Sequence, residues 1–457
     1  MTERADHASK NAKAPPGWKT NGPLGLVRED VVRNVAVFGS TGSGKTRSVL
    51  LPLLEDILAS EAGDPARRAG ALIIDAKADM GAHLKVCLQR SGRAEPLQIV
   101  GDGGNLSLAS LAGFFPNSRA AVEFITRLTQ SGAAASGNNE FFWQESSKRF
   151  LRQVLALAWA RHGQEASFDV IMSALRDLEP RHRASGSKWS LPDEINRLRI
   201  QGRLSQADAD ELLHMSANET AAMARSTTAT ILANAVAYLE PFLAPEIRQL
   251  LVQQGSQYHP CHVIDRGDVV LAALAPTLFG PISKAWRNLI KDEFQGCALR
   301  RPRLQHFDGL TCRSINQERL VILVTDEFHT LVRWGVDSGD PSFLDRCREF
   351  SVGCLWACQG VSALRAALPS HSAVDHLLNN SGTKIFMKTS CPATIEYACR
   401  LGVMAATPPP SPLFVRTNVR RSLQVTPGLL RNLDIGEAVV FFVDGRIERV
   451  LFPDRGY

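Results

Sequence analysis

The sequence has no apolar run near the roughly 18 residues that a membrane-spanning helix needs. Its opening stretch, MTERADHASKNAKAPPGWKT, also lacks the apolar segment of a signal peptide. We therefore expect residues 1–30 to form a flexible basic arm, and we expect no integral membrane segment. A cytoplasmic location, with membrane contact only through a partner, is the corresponding expectation.

Paired zinc-ligand motifs, internal repeats and long low-complexity tracts are missing as well. The nine cysteines include no C-x-x-C pair followed by a second such pair, so we expect reduced, mostly buried thiols. The net charge of +6 permits a polyanionic partner such as DNA without requiring one. What remains is an ordinary globular chain of 457 residues, 44% hydrophobic, with room for two or three domains.

One stretch contains a complete phosphate-binding loop. A short apolar strand, VAVF, leads into the sequence GSTGSGKT. Glycines there let backbone N–H groups face a phosphate, and the helix that begins near Lys45 adds its positive end. A chance glycine-rich turn is the alternative, but the strand before it and the leucine-rich helix after it favour a site for a nucleoside triphosphate. The predicted nucleotide-binding residues are Gly39, Ser40, Thr41, Gly42, Ser43, Gly44, Lys45 and Thr46.

Hydrophobic periodicity divides the chain into two kinds of region. Residues 31–117 and 244–457 alternate apolar strands with helices, which is typical of a mostly parallel α/β sheet. Residues 118–243 show the three-to-four spacing of helices, broken by Gly, Ser and Asn, and we predict an all-helical insertion domain there. The strands expected after this insertion are 269–276, 320–328, 352–360, 383–389 and 437–452.

Acidic residues end two of the predicted strands. Asp326 and Glu327 follow the apolar run 320–324, where one carboxylate can hold the Mg²⁺ shell and the other can take a proton from water. Asp75 competes, since it ends the strand GALIID thirty positions after Lys45. We prefer Asp326 because an ATPase with a glutamate base needs the Asp-Glu pair. A charge pair at a helix start is the other interpretation of these two carboxylates.

Two further polar residues flank the strand VGCLWAC. Gln359 lies at its end, where an amide can bond the γ-phosphate or the attacking water. Arg348 precedes the strand at an edge of the sheet, from which it could enter a neighbouring subunit's site as an arginine finger. A surface salt bridge from Arg348 to Glu349 or Asp345 is the alternative.

Taken in order, these motifs resemble those of the type IV coupling proteins of conjugation and secretion, a group of RecA-like motor ATPases. The resemblance covers nearly all of the chain from Val31 onward, and it rests on the order of the segments. These are FGSTGSGKT, IIDAKAD, NNEFFWQESSKRFLRQVLALA, TDEFHTL, REFSVGCLWACQGVSALR and LLNNSGTKIFMK. Two departures are Ala78-Asp79 in place of the family's Gly-Glu, and no counterpart of its usual amino-terminal transmembrane helices.

The resemblance implies a RecA-like P-loop NTPase with ATP and Mg²⁺ as cofactors. By position, Lys45 and Thr46 hold phosphate and Mg²⁺, and Asp326 binds the metal. Glu327 then acts as the base and Gln359 as the sensor, while Arg348 takes the place of the family's trans-acting arginine.

The function implied is that of an ATPase that pumps DNA, expected to be single-stranded and to include protein-linked DNA. The subunits are expected to form a ring, a hexamer, around the DNA. Its partners would be the relaxase complex and the secretion channel at the inner membrane. A nucleotide-gated adaptor that recruits relaxase or effector proteins without moving DNA is the alternative. A P-loop kinase or sulfotransferase is disfavoured, because no acceptor site is evident.

Support for DNA binding in the residues themselves comes from the helical region. Basic side chains with nearby aromatics could contact phosphates and stack bases, although Phe141, Phe142 and Trp143 at the head of an amphipathic helix are more often core. The basic candidates are Lys148, Arg149, Arg152, Arg161, Arg176, Arg181, Arg183 and Lys188, with Trp189 as a further aromatic.

Overall fold

A computed structural model describes most of the chain, which forms two compact units. One unit comprises Met1–Ala71, Ala82–Pro96 and Ala298–Tyr457, and the other comprises Leu72–Gly81 and Leu97–Cys297. The boundaries predicted at residues 118 and 243 remain a prediction. The described residues are 19–101, 104–107, 138–162, 191–215, several positions within 227–236, 256–280, 282–301, 319–335, 339–406 and 423–457.

Eleven strands occur in the described residues. They are β1 (Val35–Phe38), β2 (Gly70–Asp75), β3 (Gln98–Gly101), β4 (Leu106–Ser107), β5 (Ser256–Gln257), β6 (Val269–Ala273), β7 (Val321–Thr325), β8 (Val352–Cys358), β9 (Thr383–Met387), β10 (Glu437–Phe441) and β11 (Ile447–Leu451).

In the first unit, six strands lie in the order β11-β10-β9-β1-β8-β7. Strand β1 pairs in parallel with β8 and with β9, and β8 pairs in parallel with β7. Every residue of β1, β7 and β8 is buried, which is why these strands read as continuous apolar runs.

The predicted strand run 437–452 forms a hairpin. Strands β10 and β11 pair antiparallel, and β10 pairs antiparallel with β9. The turn between them is possible because Gly445 adopts a φ of 84°, and the Asp444 carboxylate accepts the backbone N–H of Arg446.

In the second unit, β3 pairs in parallel with β6 and β4, and β4 pairs in parallel with β5. Together with the helices, these two sets of mostly parallel strands confirm the predicted α/β fold class.

The helix predicted to begin near Lys45 is present. A π-helical segment, Lys45–Leu50, continues directly into the α-helix Leu51–Ala59. In the part of the chain that the structure describes, the α-helices are α1 (Arg28–Val31), α2 (Leu51–Ala59), α3 (Gly81–Arg90), α4 (Asn138–His162), α5 (Leu191–Ile200), α6 (Gln206–Met215), α7 (Pro260–Asp265), α8 (Pro276–Phe279), α9 (Ile282–Leu299), α10 (Asp340–Arg346), α11 (Val361–Ala367), α12 (His371–Asn379), α13 (Pro392–Ala406) and α14 (Pro427–Arg431). Two 3₁₀ turns, Phe328–Thr330 and Cys347–Phe350, flank β7 and β8.

The described part of the predicted helical region is helical. Helices α4, α5 and α6 share a small apolar core, which consists of Leu157, Ile195, Leu198, Ala209 and Leu212. No helix in the parts of the chain that the structure covers is both long and apolar enough to cross a bilayer.

Candidate nucleotide-binding and hydrolytic site

The carboxyl ends of three neighbouring parallel strands carry the candidate site. In the register, Phe38 of β1 lies opposite Cys358 of β8, and Thr325 of β7 lies opposite Trp356 of β8. The segments that follow these strands therefore emerge side by side. This brings the phosphate-binding loop, the Asp-Glu pair and Gln359 to one edge of the sheet, where open α/β sheets bind their ligands.

The loop 39–46 is held on both sides by its neighbours. Gly39 N–H donates to Cys358 O at 3.3 Å, and Ser40 N–H donates to Lys388 O at 2.9 Å. Gly42 and Gly44 have φ of 78° and 96°, a conformation that favours glycine. A β-carbon on Gly39 would come within 2.5 Å of Ser43 Oγ, so the bend also needs glycine there.

Lys45 closes the loop over its own backbone. Its ammonium group donates to Gly39 O at 2.8 Å and to Ser40 O at 3.1 Å, and the residue is only 6% exposed. A buried cation at the end of a glycine-rich loop and the start of a helix is suited to bind a phosphate. Ser43 Oγ is buried and has no hydrogen-bond partner among the described residues, which leaves a polar atom in the same loop for a ligand.

Thr46 and Asp326 meet across the site. The Thr46 hydroxyl donates to Asp326 Oδ2 at 2.7 Å, and Asp326 Oδ1 accepts the backbone N–H of Glu327 at 2.9 Å. Both carboxylates are largely buried. Glu327 has a φ of 51°, a strained conformation for a residue other than glycine, and such strain concentrates at functional sites.

Asp75 is engaged elsewhere. Its Oδ1 accepts Lys77 N–H at 2.9 Å and its Oδ2 accepts Met80 N–H at 2.8 Å. Burial raises the pKa of the Asp75 carboxyl despite these two bonds. The carboxylate therefore stabilises the turn after β2, whereas Asp326 contacts the P-loop threonine.

Gln359 and Arg348 lie at opposite ends of β8. Gln359 follows the strand directly, is exposed and makes no side-chain hydrogen bond within the described residues. Arg348 lies in the turn before the strand and is also exposed. Arg348 precedes β8 and therefore lies at the amino end of the strands, whereas the candidate site of the same chain lies at their carboxyl ends. Within the described residues it forms no ion pair with Asp345 or Glu349.

The residues present fit a magnesium ion. Thr46 Oγ1 and the Asp326 carboxylate supply two hard oxygen donors within 2.7 Å of each other. Such ions are held by few protein ligands and keep several waters and substrate phosphates, so a pair of oxygens is a sufficient protein share.

The sequence did not single out two residues that adjoin Glu327. His329 Nδ1 lies 3.6 Å from Glu327 Oε2 and 3.7 Å from Cys358 Sγ. Burial is the main cause that lowers the pKa of His329, and burial raises the pKa of Cys358 to about 12. The histidine two positions after the Glu of TDEFHTL was the available signal.

Little of the predicted DNA-contact set can be compared with the structure. Arg149 is exposed on α4, whereas Arg161 pairs with the buried Glu194 of α5 at 2.7 Å. Burial raises the pKa of Glu194, but Arg161 and Arg197 outweigh it and the pKa is lowered. Arg161 therefore serves packing between helices. The remaining basic and aromatic candidates have side chains outside the described residues; they are Phe141, Phe142, Trp143, Lys148, Arg152, Arg176, Arg181, Arg183, Lys188 and Trp189.

Comparisons with solved structures identify the fold. The bacterial conjugative coupling protein TrwBdeltaN70 in complex with sulphate is 16% identical, with a TM-score of 0.63 over 97% of this chain and 91% of that one. The TrwB complex with the ATP analogue ADPNP is 16% identical, with a TM-score of 0.61 over the same shares. The TrwB complex with ADP and Mg²⁺ is also 16% identical, with a TM-score of 0.60 over 95% of this chain and 88% of that one.

At this level of identity the likeness shows a shared fold, and the predicted RecA-like P-loop NTPase fold is confirmed. No protein-family model matches the chain, and no curated protein matches it in sequence.

Proposed function

We propose that this chain is an ATP-hydrolysing coupling protein that pumps DNA in conjugation or type IV secretion. The observation that carries the proposal is the contact of Thr46 with Asp326, with Glu327 directly after it, at the mouth of a phosphate-binding loop. The fold adds support, since the TrwB structures were solved with ATP and GTP analogues and with ADP and Mg²⁺.

Each residue has a role that its position suits. The loop amides and Lys45 bind the phosphates, and Thr46 with Asp326 would hold Mg²⁺. A bound Mg²⁺ ion would offset the phosphate charge that develops during transfer. Glu327 would accept the proton of the attacking water.

Two polar residues complete the proposed cycle. Gln359, at the end of the strand next to the Asp-Glu strand, would bond the γ-phosphate or the water. Arg348 would serve the site of a neighbouring subunit, because it precedes β8 whereas the site of its own chain lies beyond the other end of that strand.

The proposed assembly is a ring, expected to be a hexamer, with DNA in its channel. Head-to-tail contacts between identical subunits close into rings when the rotation permits. The corresponding partners are the relaxase complex and the secretion channel. Binding to this channel would place the ATPase at the cytoplasmic face of the membrane.

A nucleotide-gated adaptor is the second candidate, since the exposed Gln359 could report nucleotide state to a partner protein without DNA movement. ATP turnover, measured with and without single- and double-stranded DNA across protein concentrations, separates the two. A DNA pump should be stimulated by DNA and by concentration. Slow ATP turnover that changes neither with added DNA nor with protein concentration would favour the adaptor.

A further inference from the structure

A short turn carries His329 back beside the proposed base. Glu327 adopts its left-handed conformation, and the 3₁₀ turn Phe328–Thr330 follows at once. Both the backbone N–H and the hydroxyl of Thr330 donate to Glu327 O at 2.9 Å. The Phe328 ring packs on Trp356 with 5.1 Å between centroids. The turn is therefore fixed at both its backbone and its buried side chain.

The imidazole faces two groups with the same nitrogen. His329 Nδ1 lies 3.6 Å from Glu327 Oε2 and 3.7 Å from Cys358 Sγ. A neutral imidazole can use Nδ1 either as a donor or as an acceptor. Because the Cys358 thiol donates to Gly360 O at 3.2 Å, an Nδ1–H group is left to donate to the Glu327 carboxylate.

A neutral donor suits a general base. Burial, the largest influence, lowers the pKa of His329 although Glu327 opposes it, and this favours the neutral ring. A neutral N–H orients the carboxylate without cancelling its charge, and the base keeps its affinity for a proton. The distance of 3.6 Å is longer than a normal hydrogen bond, and such catalytic contacts tighten when substrate is bound.

The contact between His329 and Cys358 lies next to Gln359, the proposed sensor. Cys358 precedes Gln359, and its thiol bonds the carbonyl of Gly360, the residue after Gln359. On the other side, Val361 N–H donates to Thr394 Oγ1 at 2.9 Å. The strand end that presents Gln359 thus contacts His329 through Cys358, and Val361, two residues after Gln359, is bonded to α13.

We propose that His329 is a positioning residue, which orients the Glu327 carboxylate for water activation and links it through Cys358 to the strand end that presents Gln359. This inference rests on the proposed ATP hydrolysis.

The test compares three replacements of His329. His329→Leu keeps bulk but removes the nitrogen, His329→Asn restores a polar amide near the place of Nδ1, and His329→Gln places its amide near Nε2 instead. We expect His329→Leu to lower kcat for ATP about 10- to 100-fold, with KM unchanged. His329→Asn should recover most of the loss, and His329→Gln should recover little.

A double variant separates positioning from packing. If His329 acts through Glu327, His329→Leu should cause no further loss in a Glu327→Gln background. Equal kcat for the Leu and Asn variants, a rise in KM alone, or fully additive losses would each overturn the proposal.

The activities of the unsubstituted protein and of Glu327→Gln show whether the positioning role or the proposed function has failed. If the unsubstituted protein hydrolyses ATP and Glu327→Gln does not, a flat His329 series refutes the positioning role alone. If the unsubstituted protein hydrolyses no ATP, or if Glu327→Gln is fully active, the proposed function fails and the inference falls with it. Thermal unfolding of each variant identifies any that has not folded.

Discussion

The Thr46 hydroxyl lies 2.7 Å from Asp326 Oδ2, although 280 positions separate the two residues in the chain. We predict that Thr46→Val and Asp326→Asn each lower Mg²⁺-dependent ATP turnover about 100-fold, because metal-held charge is worth several kcal/mol in the transition state. A series of Mg²⁺ concentrations measures the effect, and the half-maximal concentration should also rise.

Asp75→Asn is the matched control, since this carboxylate accepts two backbone N–H groups of its own turn. It should leave the Mg²⁺ requirement unchanged and cost about 1 kcal/mol of the free energy of unfolding through one weakened hydrogen bond. A raised Mg²⁺ requirement for Asp75→Asn, with none for Asp326→Asn, would reverse the assignment of the metal strand.

Asn34 joins several elements at the amino end of β1, and its replacement should destabilise the fold. Its Nδ2 donates to Leu344 O and to Asn380 O, and its Oδ1 accepts Cys354 N–H at 2.9 Å. Asn34 also has a φ of 67°, which asparagine tolerates better than alanine. We predict that Asn34→Ala costs roughly 3 kcal/mol in urea denaturation, because it leaves buried groups unsatisfied.

The exposed Asn379, at the end of α12, supplies the comparison. Asn379→Ala should stay within about 0.5 kcal/mol of the unsubstituted protein. Equal stability of the two variants would show that the Asn34 contacts contribute little.

Cys391 should be the reactive thiol near the site. Burial would raise its pKa, but hydrogen bonds from Ser362 and Thr394 outweigh burial and lower the pKa to about 7. Its thiolate fraction, and hence its rate of alkylation, should therefore rise steeply as pH increases through 7.

Mass spectrometry of iodoacetamide-treated protein, sampled between pH 6 and 9, would follow each cysteine separately. Cys399, in the helix α13 that begins directly after Cys391, has a pKa raised by burial and should react only at higher pH. Loss of the low-pH labelling in Cys391→Ser identifies the residue. A Cys391 profile no different from that of Cys399 would contradict the prediction.

Arg348 should act between subunits. It lies at the end of β8 away from Gln359, so we expect Arg348→Ala to lower turnover strongly while the ATP affinity of the monomer stays nearly unchanged. Activity of the unsubstituted protein should rise steeply with its concentration or on adding DNA.

Mixing two inactive variants tests this directly. Arg348→Ala subunits keep Lys45, and Lys45→Ala subunits keep Arg348, so some mixed interfaces pair an intact site with an intact arginine. Part of the activity should return. No recovery in mixtures that demonstrably form mixed oligomers, or full activity in a dilute monomer, would leave Arg348 without a role in hydrolysis.

The sequence predicted the strands of the site because their residues are buried on both faces and form uninterrupted apolar runs, as in β1, β7 and β8. It predicted the phosphate-binding loop because glycine, lysine and threonine at this fixed spacing are typical of a loop that binds phosphate and Mg²⁺. Residues 437–452 were expected to form one strand, whereas they form the hairpin of β10 and β11. The turn of this hairpin depends on a few residues around Gly445.

Relationships between distant residues could not be predicted from one sequence. That Thr46 contacts Asp326 rather than Asp75 depends on strand order, which apolar patterning does not specify. The approach of His329 to Glu327 depends on a left-handed backbone at the glutamate, a conformation that its residue type does not favour. Nothing in the sequence around Asn34 indicates the hydrogen bonds that its side chain makes with distant segments.

The most direct test of the account is the paired measurement of ATP binding and ATP turnover by Glu327→Gln. Lys45 contacts charge that the bound nucleotide already carries, whereas Glu327 acts only as water is deprotonated. Glu327→Gln should therefore bind ATP as tightly as the unsubstituted protein while turnover falls about 100- to 10,000-fold, and Lys45→Ala should lose tight binding itself. Turnover by Glu327→Gln at the unsubstituted rate would contradict the account.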